Sequence, residues 1–346
     1  MHFGIFVEEM RQGVSQPAAF REAFDLAERA DALGVDCVWL GEIHFNPARS
    51  VISASLQVAS SIATRARRLR VGTAVSVLPL NHPLRTAEEV ATLDHISEGR
   101  FEFGIGRSGV VRSYDTYGIP YGESQARFRE SLEIIKLAWK GEPFSYEGKF
   151  YRVTNATVSP TPYQKPHPPL RMATTSRETF AAVGAMGLSS FIGIRVAEIP
   201  DLQADLALYR SAWQEAGHPG EPSVYLRVPV YVAETAAAAV AEPRESLTYF
   251  FGRQAELARS SVGRAGTPEE RRAQAERMAK LSYEDVLAKK VISGTPPAVV
   301  ARLREWQDAL GIDGIVAELN PGGMIPCDLE LRSLERLAQE VMPAFR

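Results

Sequence analysis

The feature that most constrains the fold is a regular alternation of short apolar runs with amphipathic stretches. In the first 106 residues, stretches of helical periodicity separate four predicted strands, at Phe3–Val7, Val35–Leu40, Leu69–Val77 and Phe101–Gly106. The helical stretches tend to begin at a proline and end at a glycine, as helices commonly do. Strands and helices that alternate with short connections favour a parallel sheet with crossover helices.

The alternation continues to the C-terminal end with one long interruption. Further strands are predicted at Leu170–Thr174, Ser190–Ile194, Val224–Val232 and Ile315–Ala317, and we count eight strand-then-helix units. The interruption, about residues 235–293, is polar and helix-biased, which is typical of a lid or of a solvated helical excursion. We therefore predict an α/β fold, a (β/α)8 TIM barrel, as a single domain over residues 1–346 with a long helical insertion before the last strand.

Charge and cysteine content limit the partners that the protein can bind and the cellular compartment that it fits. A net charge of −3 offers no electrostatic attraction to nucleic acid or to an anionic membrane surface. The two cysteines, Cys37 and Cys327, lie far apart in sequence and predict no disulfide framework, which fits a reducing cytoplasm. We see no signal peptide and no membrane span. The six histidines have no metal-ligand spacing, so no metal site is predicted.

The strand Val35–Leu40 ends in residues that can carry chemistry. Its apolar side chains do not alternate with polar ones, which is typical of a strand buried on both faces. Glu42 and His44 follow it, at the end of the strand where barrel enzymes place their active sites. Histidine exchanges protons near neutral pH, and Glu42 could orient the ring or line the core. We predict both as catalytic residues, against the alternative that the histidine is structural.

Two further strand ends suggest a cofactor site. Gly106 and Arg107 follow one strand, where glycine lets a flat ligand approach the backbone and arginine suits a phosphate; a plain turn with a solvated arginine is the alternative. Thr174, Thr175 and Ser176 join another strand to a helix, whose N-terminus can bind phosphate or can simply be capped by Ser176. The residues alone favour a planar phosphorylated cofactor, and flavin mononucleotide (FMN) would fit.

Several longer blocks resemble one known superfamily. They extend over nearly the whole chain and are Val38–Phe45, Val71–Val75, Leu78–Pro79, His82–Arg85, Leu93–Arg107 and Glu340–Pro343. These blocks resemble the bacterial luciferase-like flavin monooxygenases, near their alkanal monooxygenase branch. Members of that superfamily are (β/α)8 barrels, usually homodimers, that take reduced flavin from a separate flavin reductase and react with O2. The resemblance implies a non-proline cis peptide at Ala74–Val75 beneath the flavin, and phosphate contacts from Arg107 and the Thr175–Ser176 turn.

One departure from the luciferase pattern affects the expected reaction. Luciferase has two adjacent histidines after the glutamate, and the first is its main catalytic histidine. Here Ile43 takes that position and only His44 remains, while Gly106 takes the position of a reactive cysteine. We therefore expect a non-luminescent cytoplasmic monooxygenase that uses reduced FMN and O2 on an unidentified small organic substrate. The alternatives are a dehydrogenase or reductase that uses the deazaflavin coenzyme, and a flavin-binding homologue without catalysis.

Overall fold

Eight parallel strands close into a barrel in the computed structural model, which describes residues 1–8, 10–195, 197–260 and 275–346. The hydrogen-bonded order is β12, β1, β2, β3, β5, β8, β9 and β10, and β10 pairs again with β12 to close the ring. The predicted TIM barrel is therefore confirmed. Because all eight strands are parallel, their carboxyl ends meet at one mouth of the barrel.

The strand and helix bounds follow the predicted alternation closely. The strands are β1 (His2–Val7), β2 (Cys37–Leu40), β3 (Arg70–Thr73), β4 (Ser76–Val77), β5 (Phe101–Gly106), β6 (Phe144–Glu147), β7 (Arg152–Ala156), β8 (Leu170–Ala173), β9 (Ser189–Gly193), β10 (Val224–Val232), β11 (Ile292–Gly294) and β12 (Gly314–Glu318). The helices are α1 (Gln16–Leu33), α2 (Ser55–Arg65), α3 (Pro83–Ile96), α4 (Val111–Thr116), α5 (Ser124–Ala138), α6 (Arg177–Ala185), α7 (Ile199–Glu215), α8 (Ala236–Ala241), α9 (Arg244–Ser260), α10 (Tyr283–Lys289), α11 (Pro296–Leu310) and α12 (Cys327–Arg336). Strands β6 and β7 form a separate antiparallel hairpin.

A tryptophan fills the centre of the barrel. Trp39 on β2 is fully buried and meets Phe191 edge to face, with ring centroids 4.8 Å apart. A side chain at Gly4 or Gly72 would come within 2.5 Å or 2.3 Å of the indole ring. These two positions on the neighbouring strands therefore have to be glycine, because only glycine leaves room for Trp39. The packed centre forms the floor beneath the mouth.

The structure departs from the sequence prediction at two strands. The predicted strand Leu69–Val77 is split into β3 and β4 because the peptide between Ala74 and Val75 is cis, as the resemblance implied. The predicted helical insertion ends differently, since Ile292–Gly294 forms the strand β11. The first part of the long strand β10 pairs with β12. Its last three residues, Val230–Val232, pair with β11 instead.

The insertion packs helices α8, α9 and α10 beside the barrel mouth. Leu247, Phe250 and Phe251 of α9 bury their side chains together with Val286 of α10. The hydroxyl of Ser246 donates to the carbonyl of Pro321, 2.7 Å away, in the loop after β12. This bond fixes the start of α9 to the carboxyl end of a barrel strand. Among the described residues, no helix is long and apolar enough to cross a membrane.

Candidate functional site

The residues predicted from sequence meet at the carboxyl ends of four consecutive strands. Glu42 and His44 follow β2, the Ala74–Val75 peptide follows β3, Gly106 ends β5, and the residues from Thr174 on follow β8. Strand β2 pairs with β3, β3 with β5, and β5 with β8. The register pairs Ile105 of β5 with Met172 of β8, so the two strands end at the same height in the barrel mouth. We call this arc, from β2 to β8, the glycine-hydroxyl half of the mouth.

A hydrogen-bonded acid and imidazole lie at the start of this half. The Nε2 atom of His44 is 2.9 Å from Oε1 of Glu42, and both side chains are largely buried. The other carboxylate oxygen, Oε2, accepts bonds from the hydroxyls of Ser55 at 3.3 Å and Ser76 at 3.1 Å. A carboxylate with this many donors acts as an acceptor and orients the ring of His44. Of the two roles considered for Glu42, the structure favours the orienting one.

Tyr117 completes the contacts of His44, and the sequence analysis did not identify it. Its hydroxyl is 3.2 Å from Nδ1 of His44, and the two rings meet edge to face. Burial and then the charge of Glu42 raise the pKa of Tyr117, so its hydroxyl keeps its proton at neutral pH. Tyr117 lies in the long connection between β5 and α5, which ends at Ser124. The length of that connection is the one signal in the sequence, because long loops at this end of a barrel often carry function.

The chain after His44 turns sharply at the rim. Phe45 has a φ of 54°, in the left-handed region that a bulky residue rarely adopts. Its ring lies 5.2 Å from that of Tyr117 and 5.9 Å from that of His44, and it is partly exposed to solvent. The turn thus brings the rings of Phe45 and Tyr117 against the imidazole of His44.

Glycine packing brings the cis peptide and β5 into close contact. A Cβ on Gly104 would lie 1.8 Å from the carbonyl oxygen of Thr73, and a Cβ on Gly106 would lie 2.5 Å from Cγ2 of Val75. The hydroxyl of Thr73 also donates to the carbonyl of Gly104 at 2.7 Å. The backbone at Thr73 can therefore approach β5 only if position 104 is glycine, and the side chain of Val75 fills the space that a side chain at position 106 would need. The result is a stretch of bare backbone on which a flat ring could lie.

Arg107 stands at the outer end of this backbone with its charge available. The guanidinium makes one long hydrogen bond, 3.4 Å to the hydroxyl of Ser124. No acidic side chain pairs with it among the residues that the structure describes. The hydroxyl of Tyr114 donates to the Arg107 carbonyl and anchors the backbone there. The geometry leaves the fork-shaped cation free for an anionic ligand.

The turn after β8 supplies fewer hydroxyls than predicted. Thr174 is buried, and its hydroxyl contacts the hydroxyl of Ser190 at 2.6 Å and donates to the Met172 carbonyl at 3.3 Å. Its side chain thus belongs to the barrel interior, which favours Thr175 and Ser176 over Thr174 as cofactor contacts in this turn. The Ser176 hydroxyl contacts that of Thr179 at 2.7 Å and caps no backbone amide of α6.

The amides at the start of α6 are donors for a phosphate. Within the described part of the chain, the backbone N–H groups of Ser176, Arg177 and Glu178 have no hydrogen-bond partner. They lie two strands from the cis peptide, beside the strand that carries Arg107. A guanidinium, unpaired amides and a flat backbone match the phosphate and the ring of FMN, so the residues present fit this cofactor. No cluster of three or more metal-ligating side chains occurs in the described ranges.

Comparison with known proteins identifies the family. The family model for luciferase-like monooxygenases matches residues 1–313. The chain belongs to the luciferase-like monooxygenase family. The predicted membership of this family is therefore confirmed, and with it an oxidoreductase.

Individual members of the luciferase-like family match over different lengths. The uncharacterized protein y4wF of Sinorhizobium fredii is 38% identical over 177 residues, which are 51% of this chain and about half, 52%, of that protein. The oxygenase component of the flavin-dependent trigonelline monooxygenase of Acinetobacter baylyi is 27% identical over 100% of this chain and 96% of that protein. The crystal structure of the monooxygenase RslO1 from Streptomyces bottropensis superposes with a TM-score of 0.84 at 27% identity and covers 100% of both chains.

Proposed function

We propose that this protein is the oxygenase component of a two-component system, which uses reduced FMN and O2 to oxygenate a small organic compound without emitting light. The observation that carries the proposal is the hydrogen-bonded Glu42–His44 pair, one strand away from the cis peptide Ala74–Val75. Reduced FMN supplies the electrons that activate O2. The protein has to hold the flavin ring, bind the phosphate and control protons at the reacting edge.

We assign the binding roles from the bare backbone and from the charge of Arg107. The ring would lie on the cis peptide next to Gly106, and the phosphate would bind to Arg107, Thr175, Ser176 and the free amides of α6. Charge-assisted hydrogen bonds to a phosphate contribute about 1.5–3 kcal/mol each, so Arg107 would dominate the affinity. The side chain of Val75, which packs against Gly106, would border the ring.

The proton path runs from the buried acid to the rim. An ionised Glu42 can only accept hydrogen bonds, so Nε2 of His44 carries a proton and Nδ1 accepts from the hydroxyl of Tyr117. Tyr117 is close to half exposed, whereas the side chain of Glu42 is only 5% exposed. A proton could therefore pass between solvent and His44 through Tyr117 without opening the site.

Two residues support a reaction without light. Ile43 cannot transfer a proton, so acid–base work falls to His44 alone. Gly106 has no side chain at the position where luciferase has its reactive cysteine, and Val75 fills the space beside it. The name of the Acinetobacter baylyi relative, an oxygenase component, supports a separate reductase as partner. We also propose that the protein forms a homodimer, because members of the resembled superfamily usually do.

Cofactor titration under anaerobic conditions tests the proposal. Purified protein is titrated with reduced FMN and, separately, with the reduced deazaflavin coenzyme, and air is then admitted while oxygen uptake is followed. We expect tighter binding of reduced FMN and oxygen uptake that requires the protein. Tighter binding of the deazaflavin coenzyme without oxygen uptake would replace the proposal with a hydride-transferring dehydrogenase. FMN binding without oxygen uptake, even with a reductase supplied, would leave a binding protein.

A variant of His44 then tests the proton path. We expect His44→Ala to lower the rate of protein-dependent oxygen uptake about 100-fold or more, since general acid–base groups typically contribute 10²–10⁴-fold. His218→Ala is the matched control, because His218 contacts the carbonyl of Ala185 beside α6, on the outer helices. An uptake rate equal to that of this control would remove His44 from the mechanism.

A further inference from the structure

The other four strands of the barrel carry full charges toward the same mouth. Strand β1 is followed by Glu8, β9 by Arg195, and β10 and β12 contribute Arg227 and Glu318. The strands β9, β10, β12 and β1 are consecutive in the barrel, so these side chains form one arc across the mouth from the glycine-hydroxyl half. Arg49, from the loop after β2, reaches the end of the arc. We call these five residues the charged half.

The contacts of the charged half alternate in sign along the arc. Arg49 pairs with Oε1 of Glu8, and Arg227 lies 3.6 Å from Oε2 of the same carboxylate. Arg227 also pairs with Oε1 of Glu318 and places its guanidinium 3.6 Å above the ring of Phe6. Arg195 comes last, 4.0 Å from Oε1 of Glu318. Both carboxylates thus have a close arginine partner before Arg195 is considered.

Arg195 is the cation with the weakest contacts in this network. It donates no hydrogen bond to any residue that the structure describes, lies 4.0 Å from Glu318, and also interacts electrostatically with Glu8. Burial, and then the charge of Arg227, lower the pKa of Arg195 to about 10, so it stays charged at neutral pH. Its guanidinium lies 5.7 Å from the ring of Phe250 on α9. Placing a charge in a largely buried site with weak contacts is costly unless a ligand completes them.

An open cleft adjoins these residues. It is open to solvent and is lined by Arg49, Tyr249, Phe250 and Arg253, among others. Arg253 adds another cation, and in the described ranges it has no acidic partner. The cleft therefore combines two aromatic side chains with an excess of positive charge.

We propose that the charged half binds the carboxylate of the substrate, and that this protein acts on organic acids with an apolar or aromatic body. The inference rests on the proposed function, since it assigns the substrate class of the same active site. Arg195, with Arg227 behind it, would bind the carboxylate in the planar, two-bond geometry that guanidinium favours. Tyr249, which is exposed, would contact the apolar body. The reacting carbon would then face the glycine-hydroxyl half, where flavin and His44 are placed.

The close ion pairs of the arc leave Arg195 with the weakest contacts. Arg227 pairs with both carboxylates and Arg49 pairs with Glu8, whereas Arg195 lies 4.0 Å from Glu318, whose Oε2 atom has no hydrogen-bond partner in the ranges that the structure describes. The side chain of Arg195 is 22% exposed and lies beside Phe250, a residue that borders the cleft. A weakly paired cation close to such a cleft suits the recognition of an organic anion.

Matched ligand pairs test the proposal on the full-length protein loaded with oxidised FMN. Dissociation constants are measured by calorimetry for benzoate and benzamide, nicotinate and nicotinamide, and octanoate and octanamide. We expect at least one carboxylate to bind about tenfold or more tightly than its amide, with a preference that weakens as salt rises. Arg195→Met should abolish the preference and Arg195→Lys should retain part of it. Arg152→Met, at an exposed arginine of the β6–β7 hairpin, should leave it unchanged.

The outcomes separate this inference from the function on which it rests. Equal affinities for every acid and its amide, in a wild-type protein that binds FMN and takes up oxygen, would overturn the inference alone. So would a preference that survives Arg195→Met. If Arg195→Met weakened FMN binding by the same factor as carboxylate binding, the charged half would serve the cofactor and the inference would again be wrong. Failure of the proposed function would instead show as absent FMN binding or absent oxygen uptake in the wild type.

Discussion

The two halves of the barrel mouth present opposite chemistry. The glycine-hydroxyl half presents bare backbone, hydroxyls and one largely unpaired arginine, Arg107. The charged half presents three arginines and two carboxylates that are paired with one another. Both are built on four consecutive strands of the same sheet. The backbone of a (β/α)8 barrel thus leaves its strand ends equivalent, and the side chains divide them into a surface for a flat cofactor and a site for charge.

The two halves also differ in what they contribute to stability. Backbone packed against glycine forms part of the continuous core and needs no charge compensation. Buried ion pairs often contribute little net stability, because the desolvation of both charges offsets their attraction. Loss of one partner in the charged half is therefore expected to lower the free energy of unfolding. Substitutions in the glycine-hydroxyl half are expected to change ligand affinity instead.

The largest expected effect is on the free energy of unfolding when Arg227, at the centre of the charged half, is replaced. Arg227→Met leaves Glu8 without its second cation and Glu318 without its close partner, and both carboxylates are about 5% exposed. We expect the free energy of unfolding in urea to fall by about 3–5 kcal/mol. Arg152→Met removes an exposed arginine of an ion pair and should change it by less than about 0.5 kcal/mol. Equal losses in the two variants would show that the arc is not a coupled network.

The next effect concerns cofactor affinity in the glycine-hydroxyl half. Arg107→Met removes the guanidinium that lacks an acidic partner among the described residues, and its stability cost should be small. We expect the dissociation constant for FMN to rise about 10-fold to 100-fold, which corresponds to a charge-assisted hydrogen bond of about 1.5–3 kcal/mol. Arg112→Met, at an exposed arginine in the same loop, is the control. Unchanged FMN affinity in Arg107→Met would exclude Arg107 from phosphate binding.

Residues close in sequence were the ones that sequence reasoning could place. Glu42 and His44 are two positions apart at a strand end, so their contact followed from the alternation and the barrel rule. The cis peptide at Ala74–Val75 left no local signal and came from the resemblance alone. For Thr174 the direction of the side chain could not be predicted, because the last residue at a strand end can point into the barrel, as it does here, as well as toward a ligand. A linear pattern gave no way to decide between the two directions.

Residues that meet only through the closed sheet could not be predicted. Tyr117 reaches His44 from a loop 73 positions away. Glu8 and Glu318 lie at opposite ends of the chain and become neighbours because β1 pairs with β12. Their arginines come from three further elements of the fold. No spacing in the sequence encodes such an arc, since each strand contributes one side chain to it.

The stability of the protein at low pH should depend on Glu8, a carboxylate of the charged half. Burial opposes ionisation of Glu8, but Arg49, Arg227 and Arg195 together hold its pKa below the usual 4.5. A lowered folded-state pKa contributes stability that is fully present above the unfolded-state pKa and is lost as the pH falls toward the folded one. The free energy of unfolding should therefore fall as the pH drops below about 4.5.

Replacing this carboxyl group isolates its share of the pH dependence. We expect Glu8→Gln to make the decline below pH 4.5 shallower, by at most about 1.4 kcal/mol per pH unit, which is the limit for one proton. Unfolding in urea at a series of pH values measures the slope. Glu147→Gln changes an exposed glutamate of the hairpin and should keep the wild-type slope. Identical slopes in wild type and Glu8→Gln would mean that the arginines do not hold Glu8 ionised.

The smallest expected effect tests the comparison most sharply, because the substitution removes a single hydroxyl group from the glycine-hydroxyl half. Tyr117→Phe deletes the hydroxyl that contacts Nδ1 of His44 and retains the ring that packs on it. We expect protein-dependent oxygen uptake to slow about threefold to tenfold, as for the loss of one neutral hydrogen bond, with no change in FMN affinity or in carboxylate preference. Tyr121→Phe, in the same loop, deletes a hydroxyl that lies 3.5 Å from the carbonyl of Ser108 and should have no such effect. If Tyr117→Phe changed carboxylate preference instead of the uptake rate, protons and substrate charge would be handled by one connected site, and the division of the mouth into two halves would be wrong.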